Sequence, residues 1–296
     1  MTNSKIQFNS INASSLFHFT RKYTSFKSIL TNGLRLSFSF EPIPTQIIEN
    51  FIYPSNCKLD KNSSNEYGVA IPMICFCDIP IVRAPNHIKK YGKYMIGLDK
   101  KLLHNLYYNK LNPVIYVNSK EIVNSFIEIS KIYKETQKYH QDLCNNSQLV
   151  SNKNTIPMLG LRMFSLEYIF GFYKPMCDEE QKNNYYNERE WRVCSYDNKK
   201  QNSEWKWGIT KQEYNDKCKE WNNCIAKDFD NHLTLYEDNI RGGITHIVVS
   251  TESKVDDMTE FILKSPKIFG YSNVSKETRL YLISKITSME RIALDY

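Results

Sequence analysis

Glycine and proline are scarce in this sequence, with 10 of each among 296 residues. Collagen-like and low-complexity chains are rich in these residues, so both classes are excluded. No apolar run approaches the length of about 20 residues that a transmembrane helix needs, and we expect no membrane partner. The first residues, Met1–Phe8, lack the basic-then-apolar order of a secretory signal, which favours a cytoplasmic protein.

Familiar nucleotide and metal motifs are also missing from the sequence. It contains no phosphate-binding Walker loop, no glycine-rich dinucleotide fingerprint and no nucleophile elbow, which removes most common nucleotide-dependent enzymes. The 8 cysteines are dispersed, and neither Cys75/Cys77 nor Cys218/Cys224 has the two-residue gap of a zinc knuckle. We therefore expect no disulfide framework and no metal site.

What is present is the composition of a globular protein, with 41% hydrophobic and 24% charged residues. The chain is long enough to bury a substantial core, and we predict a single α+β domain over residues 1–296. The net charge of +7 comes mainly from scattered lysines. Such a field favours anionic partners, such as a nucleic acid or a dinucleotide, without specifying one.

One stretch, Tyr185–Val193, combines β-forming residues with paired acids and bases. A strand there would place Glu188, Glu190 and Arg192 on one face and Arg189, Trp191 and Val193 on the other. Two carboxylates beside a guanidinium allow one carboxylate to stay ionised while the other takes or shares a proton. The alternative is a solvated strand face whose charges pair across the pleat and contribute little to stability.

The N-terminal segment predicts a compact strand–helix–strand unit. Residues Leu16–Thr20 form the first strand with His18 and Thr20 on one face, a helix follows and stops at Gly33, and Leu34–Phe38 alternates as the second strand. Because His18 and Thr20 share a face at a strand end just ahead of a helix, they are candidates for a binding site. A histidine with a purely structural role is the alternative.

The remaining segments indicate a mixed α and β pattern. We predict a long loop over 41–66, a buried central strand within 69–80, a short helix near 87–92, strands over 94–98, 113–117, 243–250 and 280–286, and helices over 119–144, 159–173 and 255–264. The apolar residues of the strands at 16–20, 71–77 and 187–194 need a common core, so we place these strands in one sheet system with helices packed against it.

Residues 197–232 are dense in lysine, asparagine and tryptophan, and we predict a polar insertion there. Trp205, Trp207 and Trp221 either fold back onto the body of the protein or stack on nucleic-acid bases. The first alternative needs no ligand.

The order and spacing of several short segments resemble the AbiGi-type proteins of bacterial abortive phage-infection systems. The matching segments are Phe17–Thr20, Ile29–Leu34, Ile71–Pro80, His87–Gly92, Ile96–Leu98, Asn112–Tyr116, Lys174–Pro175, Glu188–Arg192 and the Ile-Val-Val strand near the C-terminus. The resemblance covers most of the chain. It implies an anti-phage protein with a cognate toxin or antitoxin as its partner.

A looser resemblance links the layout to ADP-ribosyltransferases, including the DNA-modifying and RNA 2′-phosphotransferase branches. It rests on the opening His-Phe-Thr strand, the helix ending in Asn-Gly-Leu, the central strand and the late Glu-x-Glu. The resemblance implies an ADP-ribosyltransferase-like mixed sheet with NAD as the substrate that supplies the ADP-ribose. It also implies roles for single residues: Glu190 and Glu188 catalytic, and His18, Thr20 and Arg192 in contact with NAD. In that scheme His18 and Glu190 approach each other across one cleft, where a fixed carboxylate stabilises the cation left by nicotinamide departure.

Three functions are consistent with these features. The first is an NAD-consuming ADP-ribosyltransferase toxin that modifies nucleic acid or protein. The second is an antitoxin-like interaction partner that restrains a nucleotidyltransferase toxin, with a vestigial site. The third is a metal-dependent nuclease that uses Asp78, Glu188 and Glu190, although these residues lack a recognisable ligand spacing.

Overall fold

The structure, a computed structural model, describes residues 13–51, 66–107, 110–145, 168–177, 184–194, 205–225, 232–235 and 237–295. The strands are β1 (Ser15–Thr20), β2 (Leu34–Arg35), β3 (Ser37–Pro42), β4 (Tyr67–Cys77), β5 (Tyr94–Asp99), β6 (Leu111–Pro113), β7 (Ile115–Val117), β8 (Tyr173–Pro175), β9 (Glu190–Cys194), β10 (Lys206–Thr210), β11 (His232–Leu233), β12 (Ile244–Val249) and β13 (Ile286–Ser288).

Helices alternate with these strands along the chain. They are α1 (Tyr23–Asn32), α2 (Thr45–Phe51), α3 (Ile88–Tyr91), α4 (Lys100–Leu106), α5 (Lys120–Asn145), α6 (Lys211–Ile225), α7 (Glu237–Gly243), α8 (Ser253–Lys264), α9 (Lys276–Ile283) and α10 (Met289–Asp295). Within the described ranges, 3₁₀ helices cover Ile81–Asn86 and Tyr185–Glu188. Among the described helices, none combines the length and the apolar character needed to cross a membrane.

A nine-stranded sheet forms the centre of the described fold. Seven of its strands follow the order β13-β12-β5-β1-β4-β9-β6, and β3 and β10 pair with β4 beside this path. The long strand β4 organises it, because β1 and β3 pair with one of its edges and β9 and β10 with the other. Pro72, which lacks an N–H, lies between Ala70, where pairing with β10 ends, and Met73, where pairing with β9 begins. A proline is tolerated in a central strand at such a break in the ladder.

Helices cover both faces of the sheet. On one face α1, α4, α6, α7, α8 and α9 contribute to the largest core cluster, which includes Phe26, Ile74, Phe76 and Val193. On the other face, α2 and α5 pack over Ile71 and Met73 in a second cluster, and α10 closes a third around Phe17 and Cys77. The predicted mixed α and β fold with β1, β4 and β9 in one sheet is confirmed.

Two predictions about loops and strands are wrong. The predicted loop over 41–66 contains the end of β3 and helix α2, whose Ile47 and Ile48 are fully buried, while residues 52–65 lie outside the described residues. The predicted strand over 280–286 is instead the second half of α9 followed by β13. The side chain of Ser275 caps α9 by accepting from the Thr278 backbone N–H at 3.2 Å, which starts a helix that its apolar composition alone did not indicate.

The predicted helix over 159–173 is also corrected at its end. Residues 159–167 lie outside the described residues, and Tyr173–Pro175 forms strand β8 in parallel register with β7. The predicted helix over 119–144 is confirmed as α5, which packs Val123, Phe126, Ile127 and Tyr133 against the second cluster. Ile122 and Ile129 are exposed.

Part of the segment predicted as an insertion takes part in the core. Strand β10 pairs with β4, and α6 packs on β3 through the Trp221 ring, 5.6 Å from that of Phe38. The Trp205 and Trp207 rings lie 6.0 Å apart against the second cluster. The three tryptophans therefore fold back onto the body, the first of the two alternatives.

Candidate functional site

A continuous series of six charged side chains crosses one face of the sheet. Its members alternate in sign, and we call them the charged series: Lys90, Glu188, Lys174, Glu190, Arg192 and Glu41. With three cations and three anions, the series is neutral as a whole. It runs from the protein surface to the interior, because the Lys90 side chain is 48% exposed and that of Arg192 is 0% exposed.

Strand register places three members of the series on the same face. Glu190 lies opposite Cys77 and Arg192 opposite Cys75, so both share the face of the odd-numbered residues of β4. Glu41 on β3 lies opposite Val69, which points the same way. Strands β3 and β9 pair with opposite edges of β4, so a carboxylate and a guanidinium meet across the central strand.

The expected alternation of Glu188 with Glu190 along one strand is wrong. Glu188 ends the 3₁₀ helix, and Arg189, with φ of 43°, turns the chain before β9 begins at Glu190. The Arg189 carbonyl accepts from the Asp78 N–H at 3.0 Å, which fixes this turn at the end of β4. Glu188 still reaches the series, but from a turn and not from the strand face.

Arg192 is fully buried, and each of its donor nitrogens has an acceptor. Its Nε donates to Glu190 Oε1 at 2.8 Å, and its Nη2 lies 3.1 Å from Glu190 Oε2 and 2.9 Å from Glu41 Oε1. Its Nη1 donates to the carbonyl of Gly171 at 2.8 Å. A guanidinium matches this planar set of acceptors, which a lysine at the same position would not.

Lys174 joins the two predicted catalytic carboxylates. Its Nζ lies 2.7 Å from Glu188 Oε2 and 2.8 Å from Glu190 Oε2. Parallel pairing of β7 with β8 sets Lys174 beside Tyr116, whose hydroxyl accepts from the Glu190 N–H at 2.8 Å. The short strands β7 and β8 therefore position the Lys174 ammonium, and the sequence analysis did not predict β8 as a strand.

The outer end of the series opens into a cleft of about 360 Å³. Lys90 pairs with Glu188 Oε1 there. The Nζ of Lys90 also lies 4.6 Å from the centre of the Tyr185 ring and 5.2 Å from that of Tyr91. Arg83 and His87 complete the wall beside Glu188. Both predicted catalytic carboxylates are buried, with exposures of 5% for Glu188 and 7% for Glu190, but only Glu188 is among the residues that line this cleft.

The surrounding cations keep both predicted catalytic carboxylates ionised. Burial raises the pKa of Glu190, but the charges of Arg192 and Lys174 outweigh it and lower the pKa to about 2. Burial likewise opposes ionisation of Glu188, and Lys174 above all holds its pKa below the ordinary value. Burial raises the pKa of Glu41, which Arg192 opposes only in part. Burial lowers the pKa of Lys174, but the charges of three carboxylates outweigh burial and raise this pKa above its ordinary value.

His18 and Thr20 lie on the other face of the sheet. Cys77 of β4 pairs with Phe17 of β1 and with Glu190 of β9, so these three residues share one face. The next residue of β1, His18, pairs with Ile96 and points to the opposite face. Its Nδ1 is 2.9 Å from the carbonyl of Cys75. Because a carbonyl only accepts, Nδ1 carries the proton, and burial lowers the pKa of the ring. His18 and Glu190 therefore do not converge on one cleft, and the NAD-contacting roles of His18 and Thr20 stay predictions.

Sequence reasoning joined Glu188, Glu190 and Arg192, and the structure brings these three together. Sequence reasoning did not identify Lys174, Lys90 or Glu41 as members of the site. The alternation of Phe38 and Phe40 continues to Glu41, so a longer strand there was detectable. The lysines had no such signal, since lysine is common throughout the chain.

Asp78, named in the nuclease hypothesis, belongs to a separate pair. It contacts Lys100, whose Nζ lies 4.6 Å from the centre of the Trp191 ring. Within the described part of the chain, no group of three or more histidine, cysteine or acidic side chains is arranged to hold a metal ion. Asp78, Glu188 and Glu190 do not form such a group there.

Comparison with known proteins relates the chain to proteins described as abortive phage resistance proteins. A family model described as "Putative abortive phage resistance protein AbiGi, antitoxin" matches residues 52–233. The chain therefore belongs to the AbiGi family, as the resemblance of its segments indicated. It is similar to the abortive phage resistance protein AbiGi of Lactococcus lactis subsp. cremoris, with 31% identity over 155 residues. That match spans 47% of this chain and 58% of the relative's length. No solved structure matches the chain.

Proposed function

We propose that this chain is the antitoxin-like component of an abortive phage-resistance system, and that it acts by binding and restraining a nucleotidyltransferase toxin. The observation that carries the proposal is the match of residues 52–233 to a family whose description names an antitoxin. An antitoxin of this kind needs a stable body and a surface for its toxin, and no chemistry of its own.

The geometry of the charged series supports a structural role. Both oxygens of the Glu190 carboxylate are engaged, Oε1 by Arg192 and Oε2 by Lys174 and Arg192. A carboxylate that stabilises a substrate cation has to face the substrate. Glu190 instead faces its own cations in the interior, so the series is suited to hold β3, β8 and β9 together.

NAD-dependent ADP-ribosyl transfer, to nucleic acid or to protein, is the second candidate. The cleft beside Glu188 favours it, because Tyr91 and Tyr185 offer aromatic faces and Lys90 a cation next to a carboxylate. In this version the substrate displaces the half-exposed Lys90 from Glu188 Oε1, while Lys174 stays on Oε2 and is oriented by Glu190. Departure of nicotinamide would leave a cation that the Glu188 carboxylate stabilises.

Two assays separate these functions: rescue of bacterial growth with co-purification, and release of nicotinamide from NAD by the purified protein. In bacteria, the toxin of the same two-gene system is induced with and without this chain, and growth and co-purification are measured. We expect the chain to restore growth and to elute together with the toxin. Growth arrest by the chain alone would overturn the antitoxin proposal, as would release of nicotinamide from NAD by the purified protein.

Two site variants and one control variant test whether any NAD turnover comes from the charged series. Glu188→Gln and Glu190→Gln keep side-chain size but remove charge, whereas Glu213→Gln changes a partly exposed carboxylate of α6 that pairs with Lys217. Under the antitoxin proposal, all three variants that remain folded still restrain the toxin. Under the transferase alternative, Glu188→Gln and Glu190→Gln lose nicotinamide release and Glu213→Gln keeps it.

A further inference from the structure

Helix α5 has two different apolar faces. The inner face packs Phe126 and Tyr133 into the second core cluster and is fixed to α2 by the Asn50 side chain, which donates to Ser130 Oγ at 2.8 Å. The Phe126 ring lies 5.6 Å from that of Phe170. Val123 and Ile127 pack against the same cluster, so these four residues hold the helix to the body and leave its other large apolar residues outside this face.

The second face is exposed. Ile122, Ile129, Ile132 and Tyr139 have exposures of 47%, 36%, 63% and 63%. They follow one another at intervals of seven, three and seven residues, with Ser125 and Thr136 in the intervening places. This is the spacing of the a and d positions of a coiled-coil heptad. We call these six positions the outer seam.

An acidic row borders the outer seam. Glu121, Glu128 and Glu135 each precede an a position of the seam and so occupy its g positions. All three are exposed, and Lys131 lies 2.7 Å from Glu128 on the side away from the seam. The opposite border carries Phe126 and Tyr133, which are packed into the body. Charged contacts to a helix docked on the seam therefore come from the acidic row.

We propose that the outer seam of α5 is the docking surface for a basic amphipathic helix of the toxin. This rests on the proposed antitoxin function and names the chemistry of the partner: apolar residues at heptad spacing, flanked by lysine or arginine that faces the acidic row. A second copy of this chain fits less well, because an antiparallel pair of α5 helices sets one row of glutamates against the other. Like charges at these positions oppose association.

A synthetic peptide tests the surface without the toxin. The probe is a fluorescein-labelled helix of four heptads with Ile at a, Leu at d and Lys at e and g, since its own lysines prevent self-pairing. We expect it to bind the full chain, to bind more weakly at high salt, and to bind at least about tenfold better than the same peptide with Glu at e and g. Equal binding of the two peptides, or binding of neither, overturns the proposal.

Variants locate the bound peptide. Ile129→Glu/Ile132→Glu changes exposed seam residues and should weaken binding by about tenfold or more. Leu280→Glu is the matched control, since Leu280 of α9 is 52% exposed and lies outside the seam. Reversal of the acidic row with Glu121→Lys, Glu128→Lys and Glu135→Lys should exchange the preference between the two peptides. Binding that is unchanged in the seam variant overturns the proposal.

The toxin itself provides the second arm. If the parent chain captures the toxin and the seam variant does not, the toxin docks on α5. If both capture it equally, the toxin docks elsewhere and the assignment of the partner is wrong. If the parent does not bind the toxin, the proposed antitoxin function fails, while the peptide result still decides whether the seam is a docking surface.

Two further measurements identify other occupants of the seam. A dimer in sedimentation that dissociates in the seam variant would show that a second copy covers it. Failure of a maleimide to label Ile132→Cys in the native chain, mapped by mass spectrometry, would show that the chain covers its own seam. Either result overturns the proposal, and rapid labelling of a monomer supports it.

Discussion

Arg192 and Glu190 lie two residues apart on β9 and make two contacts in the protein interior, Nε to Oε1 at 2.8 Å and Nη2 to Oε2 at 3.1 Å. The same guanidinium serves Glu41 and the Gly171 carbonyl. One cation thus satisfies acceptors from three separate segments of the chain. Because these acceptors are shielded from water, they depend on Arg192 for compensation.

Replacing Arg192 by methionine should destabilise the fold strongly. The substitution leaves the carboxylates of Glu190 and Glu41 without their main partner in a region that water does not reach, and such losses cost about 3–5 kcal/mol of unfolding free energy. Urea denaturation at neutral pH measures the change. Lys217→Met, which removes a surface ion pair with Glu213, is the control and should leave the unfolding free energy close to that of the parent. Similar losses of unfolding free energy in the two variants would show that Arg192 stabilises the fold no more than a surface cation does.

The two lysines that contact Glu188 should differ in their contribution. Lys174 is 14% exposed and also contacts Glu190, whereas Lys90 is 48% exposed and contacts Glu188 alone in the series. Lys174→Met should lower the unfolding free energy by about 3–5 kcal/mol, because it removes a cation shared by two buried carboxylates. Lys90→Met should cost at most about 1 kcal/mol, since water replaces an exposed ammonium. Thermal melts of both variants decide the order, and a greater loss with Lys90→Met would contradict it.

Much of the sheet was predictable because its strands carry their own signal. The apolar run that became β4 and the alternation of Trp191 and Val193 both demanded burial, and the structure places them in one sheet. Gly33 ended α1 as expected, with φ of 88° and its N–H donating to Ile29 O at 2.8 Å. These features depend on neighbours in sequence.

The charged series was only half predictable for the opposite reason. Glu190 and Arg192 share a strand, so their periodicity joined them. Lys174 reaches Glu190 only because β7 pairs with β8, and Glu41 meets Arg192 only across β4. Such meetings follow from strand order, which local patterns do not specify. The opposite placement of His18 and Glu190 likewise depends on a single register between β1 and β4.

Stability should fall in acid more steeply for the parent than for Glu190→Gln. The pKa of Glu190 is about 2 in the folded protein against an ordinary value of 4.5. Its contribution is therefore present above about pH 4.5 and is lost as the pH falls toward 2, with an integrated size of about 3 kcal/mol. Glu188, whose pKa is also lowered, acts in the same direction. Glu41 acts in the opposite direction because its pKa is raised, so the net loss is smaller than the sum of the other two.

Urea midpoints between pH 7 and pH 3 test this pH dependence. We expect Glu190→Gln to be less stable at pH 7 but to lose less on acidification. Glu213→Gln, at a partly exposed position outside the charged series, should follow the parent. Parallel curves for the parent and Glu190→Gln would show that Glu190 does not release its stabilisation in this range.

Alanine at Gly92 should destabilise the protein, whereas alanine at Gly242 should not. Gly92 ends α3 with φ of 115°, and a Cβ there would meet the Thr20 carbonyl oxygen at 2.3 Å. Backbone strain and the displacement of β1 together should cost at least about 1–3 kcal/mol. Gly242 lies in α7, where a Cβ would meet nothing within 4 Å, so Gly242→Ala should leave stability unchanged or raise it by up to about 1 kcal/mol. Thermal melts of the two single variants provide the comparison, and an unaffected Gly92→Ala would mean that the strand and helix are not held as closely as the structure places them.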